Sequence, residues 1–152
     1  MDTFPSEIRN PKSEMINLGE TLTTTYTFSQ GDFDEFARLS GDDNPIHVDP
    51  AFAARTRFGR TVAHGMLLYG AICGMLSRHF LGATQLEQRF TFPAPTYADE
   101  EMTIRLTVTE LLPDNQLRLT TTITNPQGQL TCDGETVIRV PYSEIQNPKS
   151  EI

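Results

Sequence analysis

Residues 62–81 read Val-Ala-His-Gly-Met-Leu-Leu-Tyr-Gly-Ala-Ile-Cys-Gly-Met-Leu-Ser-Arg-His-Phe-Leu. The run is apolar nearly all the way round a helical wheel, and a helix with no polar face has to be buried. At about 1.5 Å per residue it would be roughly 30 Å long, enough to cross a membrane. His64, Arg78 and His79 inside the run, its three glycines, and the lack of a basic flank before it argue instead for the central helix of a water-soluble domain. Gly65 falls in the first turn of that helix, where backbone N–H groups have no intrahelical partner and the macrodipole is positive. With no side chain there, a carbonyl oxygen could approach the amide. Close packing of the helix against a sheet explains Gly65 equally well, and it is the reading adopted for Gly70 and Gly74.

Outward from the helix, the pattern changes to period two. Residues 84–92 put Leu86, Gln88, Phe90 and Phe92 on one face, and Met102, Ile104, Leu106 and Val108 alternate with polar residues in the cleanest strand of the chain. Pro113-Asp114-Asn115 turns that strand back into Leu117, Leu119, Thr121 and Ile123, and Asn125-Pro126-Gln127-Gly128 leads into a last strand over residues 130–140. On the other side, residues 20–28 align Leu22, Thr24, Tyr26 and Phe28, and a short helix over residues 32–40 turns Phe33, Phe36, Ala37 and Leu39 inward. Strands joined by short turns are antiparallel neighbours. The sum is an α+β architecture, the hot-dog fold, in which an antiparallel sheet wraps round one long central helix. A single layer of this kind leaves sheet edges unpaired, so a homodimer or larger even oligomer is expected, with the strand over residues 102–108 joining its twin.

Between the short and the long helix stands Gly41-Asp42-Asp43-Asn44-Pro45-Ile46-His47-Val48-Asp49-Pro50-Ala51-Phe52. Gly41 closes the helix before it; Asp49-Pro50 opens a helix after it with a capping acid and a proline at the first helical position. Asp42, Asp43 and Asn44 favour turns, and Pro45 pushes Asn44 out of helical geometry, so residues 42–47 are expected to form an ordered loop. A loop pinned at both ends can hold Asp42 and His47 in a fixed relation, as an acid/base pair requires. Asn44 is read as steadying the loop, His64 as fixing the start of the long helix.

This segment, followed by Thr56-Arg57-Phe58-Gly59 and Ala63-His64-Gly65-Met66-Leu67, resembles the hydratase signature of the MaoC-like dehydratases, the (R)-specific enoyl-CoA hydratases. The resemblance is dense over residues 33–67 and topological beyond. It implies a cofactor-free hydro-lyase that adds water reversibly to trans-2-enoyl thioesters, with CoA or phosphopantetheine present only as part of the substrate. It also implies that Asp42 and His47 activate the water and that the Gly65 amide receives the thioester oxygen. Two departures bear on the acyl pocket. Phe80-Leu81-Gly82-Ala83-Thr84 is short and lacks the family's proline, and Tyr97-Ala98-Asp99 stands where a turn ending in Gly-Asp is usual. A hot-dog thioesterase and a non-catalytic acyl-binding or assembly subunit are the competing classes. The first often draws a carboxylate from the long helix, which has no acid over residues 62–81; the second could dispense with the Asp42/His47 pair.

The remaining features bound the partners. A net charge of −8 argues against nucleic acid. Arg55, Arg57 and Arg60 nevertheless cluster just before the long helix, where they could meet the substrate's phosphates, and together with Asn44 and His64 they make up the expected substrate-binding set. Asp42, Asp43, His47, Asp49 and His64 include potential metal ligands, but no repeated ligand element supports a metal centre, and none is expected. Cys73 and Cys132, with no secretory signal, suggest the cytoplasm. One domain over residues 1–152 is expected, with flexible termini near residues 1–17 and 142–152. Residues 6–15 are nearly repeated as residues 143–152, too short for a structural repeat unit.

Overall fold

The computed structural model describes residues 16–141; the near-repeated decapeptides at the two ends lie outside the described residues. The chain runs β1 (Thr21–Thr27), α1 (Gln30–Ser40), α2 (Pro45–Val48), α3 (Pro50–Ala53), α4 (Gly65–His79), β2 (Thr84–Thr91), β3 (Glu101–Leu112), β4 (Gln116–Thr124) and β5 (Leu130–Arg139). The five strands form one antiparallel sheet in the order β1-β3-β4-β5-β2. This is the expected hot-dog architecture. Met102, Ile104, Leu106 and Val108 of β3 lie beside Leu117, Leu119 and Ile123 of β4, and Leu68, Ile72, Met75 and Leu76 of α4 close the same core. Each of these large side chains, fully buried, contributes about 1.5–3 kcal/mol. The β3–β4 turn works because Asp114 and Asn115 tolerate the left-handed region, at φ 59° and 55°.

Several local expectations are corrected. α4 is shorter than the apolar run. Val62 is drawn into an antiparallel bridge with Tyr97, and the Ala63 N–H donates to the Thr96 carbonyl at 2.8 Å, so these two leading residues pair with an extended segment instead of joining the helix, and His64 becomes its N-cap. Among the described residues, no helix is long and apolar enough to cross a membrane. Nor is α4 covered all round. One sheet layer shields the face turned to it and leaves Met66, 54% exposed, on the other. A Cβ added at Gly70 or Gly74 would meet nothing within 4 Å. These glycines therefore do not serve close packing; they open onto a groove of about 280 Å³ shared with Phe36 and Leu67.

α1 begins earlier than expected, because Ser29 caps it in a reciprocal box with Asp32. Phe33 and Ala37 face the core, whereas Leu39 is 69% exposed. A register shift between Gln85 and Glu87 breaks the alternation of β2 and leaves Leu86 exposed, and Phe92, just past the end of the strand, is exposed as well. Finally, β3 lies inside the sheet between β1 and β4, so the strand expected to meet a twin has both edges filled. The sheet's edge strands are β1 and β2.

That strand order positions the functional region. β2 lies at the far edge and β3 next to the near one, so residues 92–100 must cross the sheet end. They cross over the start of α4, held there by the Ala63–Thr96 hydrogen bond and the Val62–Tyr97 bridge.

Candidate active site

Gly41 ends α1 with φ 78° and donates its N–H to the Ala37 carbonyl at 2.9 Å. The Asn44 Oδ1 then accepts the Ile46 N–H at 3.1 Å, and with Pro45 at its first position a single helical turn, α2, begins there. The expected irregular loop thus stops at Asn44, and His47 projects from a helical turn. Asp49 caps α3 by accepting the Phe52 N–H at 3.0 Å. Asn44 and Asp49 each cap a helical turn through a side-chain oxygen, which accounts for their types at those positions.

His47 Nδ1 lies 2.7 Å from the Val62 carbonyl. A carbonyl only accepts, which assigns the proton to Nδ1 and the lone pair to Nε2, the arrangement a general base needs. His64 Nε2 lies 2.8 Å from the backbone carbonyl of Asp42 and must donate to it. The two imidazoles stack with centroids 3.8 Å apart and planes 25° from parallel, and Phe36 flanks His64 at 4.8 Å. A carboxylate oxygen of Asp42 and one ring nitrogen from each histidine all lie within 4.8 Å of one another. A water can bridge groups at such a separation. His64 is 2% exposed, and its Nδ1 has no hydrogen-bond partner among the described residues. Burial holds its pKa below the ordinary 6.5; the Asp42 carbonyl opposes that shift, and the neighbouring His47 adds to it.

Three of the potential metal ligands thus come together. Their geometry suits acid/base chemistry better than ligation. Two nearly parallel rings stacked 3.8 Å apart cannot both aim an in-plane lone pair at one ion about 2.0–2.1 Å away.

Beside the histidines, α4 starts without a side-chain cap, because the N-cap residue His64 has turned its ring toward Asp42. A serine or aspartate there would occupy a first-turn amide. The Gly65 amide is left without an acceptor among the described residues, at the positive end of the helix. Gly65 lines a cleft of about 420 Å³ with Leu68, Phe92, Thr96, Tyr97 and Arg57. A Cβ on Gly65 would lie 2.6 Å from Phe92 Cε2, so the close approach expected at this glycine is to an aromatic ring of the crossing segment.

The three arginines separate. Arg60 is ion-paired with Glu100 at 2.7 Å and lies over the Tyr97 ring at 4.1 Å, which makes it a brace for the cleft wall. Arg55 lies over Phe52, 6.0 Å from the ring centroid. Arg57, 4.6 Å over Phe58, is the arginine that lines the cleft. Sequence reasoning missed Phe92 and Thr96. Thr96 has a buried hydroxyl with no partner among the described residues, beside the cleft, and the one available signal, the Pro93-Ala94-Pro95 stretch before it, marks an extended segment without saying what it crosses.

A family model described as "MaoC like domain" matches residues 13–127. The chain is 36% identical over 132 residues to the (R)-specific enoyl-CoA hydratase of Aeromonas caviae, covering 85% of this chain and 98% of that protein. It is 31% identical over 144 residues to the 3-hydroxybutyryl-CoA dehydratase of Methylorubrum extorquens, covering 93% and 92%. The solved structure of the (R)-hydratase from A. caviae involved in PHA biosynthesis superposes with a TM-score of 0.80 at 35% identity, over 85% of this chain and all of that one.

Proposed function

The chain belongs to the MaoC-like domain family, and from that premise we propose that it catalyses the reaction its relatives are named for: reversible hydration of trans-2-enoyl thioesters to (R)-3-hydroxyacyl thioesters. The observation that carries this reading is the convergence of the Asp42 carboxylate and the His47 ring beside the uncapped start of α4. Water adds to the β-carbon, the α-carbon gains a proton, and negative charge collects on the thioester oxygen in between. Asp42 and His47 hold the water from two sides and move the protons as a coupled pair. The Gly65 amide, backed by the helix dipole, receives the oxygen; a donor of this kind is worth roughly 3 kcal/mol in the transition state.

The acyl carrier enters along the cleft. Arg57 meets its phosphates, and CoA is the carrier favoured by the relatives' names. No cofactor is needed beyond the phosphopantetheine arm of the substrate. The chemistry supplies no redox step, and free Cys73 and Cys132 fit a reducing cytoplasm.

Crotonyl-CoA tests this directly. The absorbance of the conjugated enoyl thioester is expected to fall, with (R)-3-hydroxybutyryl-CoA accumulating and no free thiol. Thiol release would mark a thioesterase; neither change with any enoyl thioester would mark a binding subunit. The absence of any acid on α4 argues against the thioesterase.

Assembly follows from the edges. β1 exposes a row of threonines, whereas β2 exposes Leu86 on a ladder unpaired among the described residues. β2 is the edge that pairs antiparallel with its twin about a twofold axis. Light scattering is expected to give at least twice 17.0 kDa, and Leu86→Lys should shift the population toward monomer. A wild-type protein that stays monomeric at micromolar concentration would rule the dimer out.

A further inference from the structure

We infer that His64 is a positioning residue for the Asp42/His47 pair: its Nε2–H fastens the main chain that carries Asp42, and its ring is the platform that sets the plane of His47. The inference rests on the proposed hydration, in which both groups must hold one water, and it goes beyond that reading by moving His64 out of the substrate-binding set. Three observations support it. His64 is 2% exposed, whereas Asp42 is exposed and His47 half-buried, so of the three it is the one with almost no surface to offer a substrate. Its hydrogen bond to the Asp42 carbonyl, at 2.8 Å, ties the start of α4 to the residue just after α1, across 22 positions of sequence. Its stacking on His47 leaves that ring little freedom, because the Val62 carbonyl holds the His47 Nδ1 edge at the same time.

The chemistry of the ring agrees. With Nε2–H donating, Nδ1 keeps its lone pair in a buried place with no donor opposite. A proton there would put a buried charge beside a histidine that must itself take up and release a proton. The groups facing His64 are His47 from α2, Asp42 from the segment after α1, and the uncharged Phe36 from α1. Burial, joined by the neighbouring His47, outweighs the carbonyl and the carboxylate of Asp42, so the ring is less readily charged than an ordinary histidine. A platform that resists protonation leaves the pair's protons to Asp42 and His47.

The test combines variants with ring spectroscopy. His64→Ala is expected to lower kcat about a hundredfold, the scale of a misplaced catalytic group, with KM within about threefold of wild type. His64→Phe restores the platform without the donor, and His64→Gln restores an amide donor without the ring; each should recover part of the loss. A folded His64→Ala protein with wild-type kcat, or a loss confined to KM, would overturn the inference, as would failure of both Phe and Gln to improve on Ala. Should the variants not fold, nitrogen NMR of the wild-type rings decides. His64 is expected to be less than half protonated at pH 6.5, with the proton of its neutral ring on Nε2, and half-protonation or more at that pH or a neutral-ring proton on Nδ1 overturns the inference. The ring states are read without substrate, so a protein that turned over no enoyl thioester would defeat the proposed reaction while His64 was still judged on its own.

Discussion

Asp42→Asn and His47→Asn each lower turnover of enoyl thioesters by about two to four orders of magnitude, the usual contribution of a positioned acid/base group. At about 1.36 kcal/mol per tenfold, that is roughly 3–5 kcal/mol of transition-state stabilisation from each. The substitutions are chosen so that the scaffold survives. Asp42 is exposed, and its structural contact is the backbone carbonyl that accepts from His64, which an asparagine keeps. Asparagine at position 47 can present its amide N–H where Nδ1 stood, retaining the bond to the Val62 carbonyl while deleting Nε2. Thermal midpoints should therefore move by only a few degrees while the rate collapses. Losses of this size are not expected to add in the double variant, because either residue alone leaves the water held from one side. Near-normal hydration by either single variant, across every enoyl thioester the wild type accepts, would remove that residue from the mechanism.

What could be read beforehand and what could not divides along a physical line. α4 and β3 announce themselves because burial imposes a period on side-chain type: 3.6 for Leu68, Ile72, Met75 and Leu76, two for Met102, Ile104, Leu106 and Val108. The ends of α1 and α3 are visible because Gly41, Asp49 and Pro50 are selected by backbone geometry. Asp42 and His47 stand out because such a pair sits between two terminators. The contacts that orient them are of another kind. His47 is held by the carbonyl of Val62, and His64 reaches the carbonyl of Asp42; every residue carries a carbonyl, so the identities of Val62 and Asp42 say nothing about those bonds. The same holds for the bulge at Gln85 and Glu87, which swings Leu86 outward against its apparent period. Nor could the edge strands be read from a meander. β2 closes on β5 and β1 on β3, so the neighbours of an edge are far away in sequence. The strand with the most regular pattern proved interior: one face is buried in the core and both edges are paired, with β1 and with β4.

Gly65→Ala brings these two kinds of information into conflict, and its outcome is correspondingly specific. By helix propensity alone the methyl should raise stability by up to about 1 kcal/mol. The new Cβ, however, would lie 2.6, 2.7 and 2.9 Å from Phe92 Cε2, Cζ and Cδ2, so the ring must move. Phe92 is 43% exposed and can swing toward solvent, which keeps the cost near the lower end of the roughly 1–3 kcal/mol typical of overpacking. A small net loss of stability is expected, together with a fall in kcat of about 10²–10³ from the loss of one oxyanion donor. Phe92→Ala separates the two effects. In that background the methyl at position 65 meets open space, so the stability cost of Gly65→Ala should vanish or reverse. The rate defect should persist, because the methyl still stands between the amide and the thioester oxygen. If the double variant instead turned over as fast as Phe92→Ala alone, the rate loss would belong to the displaced ring, and the oxyanion donor would have to be sought elsewhere than at Gly65.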